Sequence, residues 1–233
     1  MTLYETIFVR RQVRKYNKAP LEKKTLENIL QYATEADQLV GQYAKFEIAS
    51  ADAVNNGQSA PYYLLSYCDD SNAAYANVGY VLQKANLYIQ SIGLGSGWFM
   101  NPKPKDNKGN YCIALAFGGT DIPVRKNLDE FKRLPVKEIS QIDNAVARAV
   151  RLAPSAMNSQ PWKLNFEDGK IIIKDLGRGI MRVMLRNKLN KIDIGIAARH
   201  AVTALEQDGE KVTGIIPKTK GKEFKVEILY EQQ

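Results

Sequence analysis

Residues 153–162 read APSAMNSQPW. The run follows a helical pattern that Pro154 interrupts, and it leads into a strand-like run at Lys163–Phe166. Hydroxyl and amide side chains and the indole of Trp162 collect at a helix end. Such a set suits the edge of a flat, polar ligand. It equally suits an ordinary helix-to-strand turn, because Pro, Ser and Asn are turn residues. The rest of the chain has to decide.

The 233 residues are 45% hydrophobic and 25% charged, the balance of a globular protein. No window has the apolar length of a membrane span, and MTLYETIFVRRQ lacks the cleavage pattern of a signal peptide, so a cytoplasmic protein without a membrane partner is expected. Cys68 and Cys112 lie in separate strand-like runs and read as buried free thiols. The single histidine, His200, sits in the apolar helical run IAARHAVTAL, where a packing role is expected rather than catalysis, and no Cys/His cluster suggests a metal. The net charge of +8 gathers in clusters at 10–18, 103–108, 125–137, 178–191 and 218–225. No nucleic-acid-binding motif accompanies them, so a phosphorylated small ligand and a solvated basic surface are the better readings.

In chain order, a short helix is expected over Leu3–Arg11, running into RRQVRKY at Arg10–Tyr16. If that run is extended, Arg10, Gln12 and Arg14 share one face, with Val13 on the other. The three would serve a phosphate or a ring carbonyl edge, or be solvated charges in a loop. A helix follows over 21–33, then strands at Tyr43–Ser50 and Tyr62–Cys68, with a turn at 52–58 tipped by Asn56-Gly57. The longest helical pattern, Ala73–Ile92, is apolar nearly all round and reads as central and buried. LGSGWFMNP after it reads as a glycine-rich loop able to approach a ligand, and Tyr111–Gly118 as a buried strand. The polar stretch 120–135 is the expected boundary, dividing the chain into 1–134 and 135–233. The second part should hold a helix over 139–152, strands at 163–166 and 170–175, a basic segment over 176–188, a helix over 191–207, and strands at 212–216 and 223–230.

The two parts have the same order of elements. YAKFEIAS at Tyr43 lies over PWKLNFED at Pro161, and Val78-Gly79 over Ile194-Gly195. Each part is helix, strand, strand, long helix, strand. One part alone has too little core, so the two should pack together with the long helices paired at the centre.

With the repeat in view, the sequence resembles the nitroreductase-like flavoproteins. RRQVRKY is similar to that family's Arg-Arg-Ser-x-Arg string, and APSAMNSQPW matches its Ala-Pro-Ser-x-x-Asn-x-Gln-Pro-Trp motif almost throughout. Family members are homodimers that bind FMN at the interface. In them about one helix separates the motifs; here more than a hundred residues do. The chain therefore looks like a fused, tandem pseudo-dimer: an α+β, nitroreductase-like fold with two pseudo-symmetric halves around paired central helices. One intact copy of each motif implies one surviving flavin site, and an internal dimer is compatible with a monomer.

What the resemblance implies for residues is specific. Arg10, Arg11 and Gln12 would hold the FMN phosphate and ribityl end, and Arg14 the N1/O2 edge of the ring. Gln12 replaces the usual Ser and changes its reach. Arg125 and Lys126 are candidate phosphate ligands. Gly97, Trp98 and Phe99 would lie against the ring through backbone and stacking. Pro154, Ser155, Asn158, Ser159 and Gln160 would come from the other half. No side chain need be catalytic, since the flavin would carry hydride from NADH or NADPH to a nitroaromatic, quinone or similar small acceptor. A flavin-binding relative without turnover is the alternative.

Overall fold

Short hydrogen-bonding side chains set many of the element ends. Thr2 and Glu5 form a capping box that starts helix α1, Leu3–Val9. The chain leaves that helix at Arg10 in an extended conformation. The remaining elements are α2 (Lys23–Thr34), β1 (Lys45–Ser50), β2 (Val54–Asn55), β3 (Tyr62–Tyr67), α3 (Asn72–Ser91), β4 (Gly95–Phe99), β5 (Lys103–Pro104) and β6 (Tyr111–Gly118), then α4 (Val136–Ile139), α5 (Ala145–Arg151), β7 (Trp162–Glu167), β8 (Lys170–Asp175), α6 (Val183–Gln207), β9 (Lys211–Lys220) and β10 (Glu223–Glu231). The structure, a computed structural model, describes residues 1–55, 57, 59–106, 109–178 and 183–231, with side chains at 183–186 left aside. Asn56 of the expected turn tip, and 179–182 of the basic segment, lie outside the described residues.

Two four-stranded antiparallel sheets have the orders β1-β3-β6-β4 and β7-β8-β10-β9. Counted in chain order within each sheet, the strands stand in the same sequence: first, second, fourth, third. β2 and β5 form a separate two-stranded ribbon.

The chain forms two compact units. The first comprises Met1–Asp37, Ala44–Asp69 and Leu82–Leu128; the second Gln38–Tyr43, Asp70–Val81 and Asp129–Gln233. Compared with a division at 134/135, the second unit also takes in 38–43, 129–134 and, with 70 and 71, the start of α3. Glycine explains the last of these. A β-carbon on Gly79 would lie 2.0 Å from the Ile192 carbonyl oxygen, and one on Gly195 would lie 1.8 Å from that of Ala76. The early part of α3 and helix α6 therefore touch backbone to backbone, which only glycine allows. Val40 adds a hydrogen bond from its N–H to the Ile215 carbonyl (2.9 Å). His200, fully buried on α6, contacts the Ala149 carbonyl through Nδ1 (2.8 Å) and packs helices as expected.

Three expectations need correcting. GLGSGWF is largely strand β4, not a loop. The expected helix over 139–152 is α5 alone, which starts at Ala145, while α4 ends at Ile139. Between them the Ser140 hydroxyl bonds the main chain of Ile142, and Asn144 caps Ala147 (2.8 Å), so local side-chain bonds displace helical ones. Finally, Cys112 is buried but Cys68 is only half-buried.

Gly79→Ala and Gly195→Ala should each cost about 3 kcal/mol or more, because backbone cannot move aside as a flexible side chain can. Urea unfolding measures this. Losses under about 1 kcal/mol would disprove the close helix contact.

Candidate functional site

In the first unit the segment after α1 is an arm laid along the free edge of β4. Val13 donates its N–H to the Ser96 carbonyl (2.9 Å). Gln12 acts through its carboxamide: Nε2 donates to the Trp98 carbonyl (3.0 Å), and Oε1 accepts from the Trp98 N–H (3.1 Å). The side chain thus imitates a β-strand partner. A β-carbon on Gly97 would meet the Val13 carbonyl oxygen at 2.4 Å, so the missing side chain admits the arm.

A buried polar chain on α3 holds the arm from behind. Gln90, 4% exposed, accepts the Arg11 N–H (2.8 Å) and donates to the Arg11 carbonyl (3.0 Å). Its Nε2 also reaches Asn86 Oδ1 (3.0 Å) and Ser96 Oγ (2.9 Å). Asn86 in turn donates to Gln83 Oε1 (3.0 Å). Buried amides in a connected chain satisfy one another and fix a single arrangement. Arg125 closes the arm's start: its N–H donates to the Val9 carbonyl (2.8 Å), and its guanidinium donates to the Arg10 carbonyl.

Arg10, Arg11, Gln12, Gly97, Trp98 and Arg125 are therefore neighbours, as the sequence implied. Their roles differ from a row of equivalent donors. Arg10 is 1% exposed, Gln12 is committed to Trp98, and Arg14 is exposed. Lys126 is exposed as well. Phe99 is half-buried and packs against the core cluster of Val54, Tyr63, Leu65 and Tyr67. Trp98 is half-buried, and its indole N–H is buried without a hydrogen-bond partner among the described residues.

In the second unit, residues 153–162 form one tight, strained turn. Met157, Asn158 and Gln160 have φ of 52°, 57° and 46°. Non-glycine residues there cost of order 1–3 kcal/mol each and persist only where surroundings enforce them. The enforcement is visible. Ser155 Oγ accepts the Gln160 N–H (2.9 Å), and Gln160 Oε1 accepts the Leu134 N–H (2.9 Å). Asn158 accepts from the Arg133 guanidinium and donates to the Lys132 carbonyl (3.0 Å). Ser155, Asn158 and Gln160 thus shape the turn through their side chains. Pro154 is half-buried beside them. Ser159 Oγ is buried and has no hydrogen-bond partner among the described residues.

Beneath the turn lies Asp193 of α6, 3% exposed, which accepts the Ala156 N–H at both carboxylate oxygens (3.1 Å each). Burial pushes this carboxyl well above the usual carboxylate range; the Ala156 bond opposes the shift, Asp175 adds to it and Arg133 opposes it. Asp175 forms a buried ion pair with Lys191 and accepts from Gly177 N–H (2.7 Å). Gln90, Arg133 and Asp193 escaped the sequence reading, since each acts through main chain or through another residue. Among the described residues, no three His, Cys, Asp or Glu side chains converge as for a metal, and no helix is long and apolar enough to cross a membrane.

A family model described as "Putative TM nitroreductase" matches residues 2–205. The chain belongs to that nitroreductase family. It is thereby a nitroreductase-like oxidoreductase, and its fold agrees. A crystal structure described as that of a "putative nitroreductase" from Thermotoga maritima MSB8 superposes with a TM-score of 0.69 at 19% identity, covering 98% of this chain and 94% of that one. A nitroreductase-like protein from Bacillus cereus gives 0.47 at 18% identity, covering 62% and 96%. An NADPH:FMN oxidoreductase from Vibrio harveyi, complexed with NAD+, gives 0.42 at 17%, covering 52% and 70%. No protein of curated function matched.

The upward shift at Asp193 predicts a pH signature. Its folded-state pKa lies above the unfolded one, so its contribution to stability is fully present below about pH 4 and is lost as pH rises through the folded value. Asp193→Asn does not titrate. Its stability relative to the parent should therefore rise between about pH 4 and pH 7, by at most about 1.4 kcal/mol per pH unit. Urea unfolding across that range measures the difference, and a constant difference would show that Asp193 titrates normally.

Proposed function

We propose that the protein is an FMN-dependent NAD(P)H oxidoreductase that reduces nitroaromatic, quinone or similar small acceptors. The observation that carries this reading is the turn at 153–162. A stretch that matches the nitroreductase motif is held in a strained backbone by dedicated partners, which a mere connection does not need. The residues also fit the group. The guanidiniums of Arg10, Arg11, Arg14 and Arg125, with Lys126, are the donor chemistry a phosphate and a ring carbonyl edge require. The Trp98 indole N–H and the Ser159 hydroxyl are buried polar atoms without protein partners among the described residues. Leaving such atoms unmatched is costly, and a polar ligand edge would satisfy them.

On this reading the arm binds the phosphate and ribityl end, through Arg10 and Arg11 with Arg125 and Lys126 as further cations. Gln12 acts indirectly, by holding the Trp98 main chain. Arg14 would hold the N1/O2 edge, where a positive charge would favour reduction. Pro154, Ser155 and Ser159 offer contacts from the turn, while Asn158 and Gln160 keep its shape. Gly97 admits the arm, and Trp98 supplies an N–H. FMN, when bound, supplies two-electron chemistry between nicotinamide and acceptor. The halves 1–134 and 135–233 are read as a tandem repeat that retains one flavin site, a reading supported by the matching strand orders of the two sheets. With the family's dimer internal to one chain, the expected state is a cytoplasmic monomer.

Extraction of purified protein should yield FMN, and the protein should oxidise NADH or NADPH with a quinone by ping-pong kinetics. Arg14→Ala should weaken FMN binding or slow its reduction by about tenfold. FMN should also slow amide exchange in both 10–14 and 154–160. Unchanged affinity and reduction rate in the variant would overturn the assignment of Arg14. Bound flavin without NAD(P)H oxidation would instead identify a non-catalytic flavin-binding relative.

A further inference from the structure

Asp193 has a counterpart in the first half. It stands two residues before Gly195, and Asn77 stands two residues before Gly79. Asn77 is fully buried, and its Oδ1 accepts the Leu39 N–H (2.9 Å) while its Nδ2 donates to Gln38 Oε1 (2.7 Å). Leu39 lies between α2 and β1, as Ala156 lies between α5 and β7. In both places a buried acceptor on the long helix seizes one main-chain N–H of the helix-to-strand connection. Only one of the two connections is the strained turn. Residues 36–43 read ADQLVGQY, and the one left-handed position described there is a glycine, Gly41. The repeat therefore kept the anchor while the connection lost its motif.

We propose that Asp193 is a positioning residue for the flavin-contacting turn, acting as a hydrogen-bond acceptor for Ala156 rather than as a fixed charge. This rests on the flavin reading above. The Ala156 amide opens the short turn whose next residues, Met157 and Asn158, are left-handed. Fixing that amide from below fixes where Ser155 and Ser159 lie. The groups that act on Asp193 are Asp175 of β8, itself paired with Lys191 of α6, and Arg133 from the segment before α4. Burial favours the uncharged carboxyl, for which a carboxamide is a close substitute in shape. Asn77 already performs the same task with a carboxamide.

The test uses the full chain, free FMN as the probe, and three variants. Asp193→Ala should raise the FMN dissociation constant by about tenfold or more, and speed exchange of the 156–160 amides. Asp193→Asn should restore both to within about threefold of the parent. Asn77→Ala removes the equivalent anchor from the unstrained connection, so it should lower the unfolding midpoint while leaving FMN affinity within about threefold. The proposal is overturned if Asp193→Ala leaves exchange at 156–160 unchanged. It is also overturned if Asp193→Asn fails as badly as the alanine variant, or if Asn77→Ala weakens FMN equally. Should the parent bind no FMN, the flavin reading falls, and the exchange measurements on Asp193→Ala and Asp193→Asn still decide whether the carboxyl positions the turn.

Discussion

Backbone contact between α3 and α6 at Gly79 and Gly195 is the constraint on which the second unit depends. Each glycine leaves room for a carbonyl of the opposite helix, closer than any β-carbon would permit. Helices brought this near bury one another on several sides. Val78, Tyr80 and Val81 of α3, and Ile194, Ala197 and Ala198 of α6, are essentially inaccessible. Burial on that scale comes from apolar area, but its geometry comes from the missing side chains. The cation of Arg199 adds to the contact by lying over the Tyr80 ring, 3.6 Å from its centroid.

Polar residues on the same two helices then reach outward to main chain. Asn77 and Asp193 each take the N–H of a connection, and Gln90 takes both main-chain groups of Arg11. Buried amides and carboxyls are costly unless matched, so a connection that provides the match is held in one conformation. Rigid helices thereby fix these connections. The arrangement accounts for non-glycine residues in left-handed backbone at 157, 158 and 160.

Much of this was legible in the sequence. Alternating or continuous apolar runs located most of the strands, the fully buried ones as continuous runs. Tyr111–Gly118 and Lys170–Asp175 stand as read. The two motifs and the glycine in each long helix were equally plain. The helix over 139–152 misled because Ser140 and Asn144 bond locally, and such competition does not alter apolar periodicity. GLGSGWF misled for another reason. Glycine signals close approach, and the approaching group turned out to be Gln12-Val13 of the arm.

The amino-acid sequence by itself determined the strands of the two sheets apart from β4, the long buried helices with a glycine in each, and the two motifs that relate the chain to nitroreductases. All are local patterns of side-chain size and polarity. Tertiary structure alone decided what each polar group does. Gln12 serves Trp98, Asn158 answers Arg133, and Asp193 holds Ala156 across 37 residues. Hydrogen bonds are short-ranged and directional, so their partners are set by where the fold delivers each main-chain group, and sequence spacing carries no record of that.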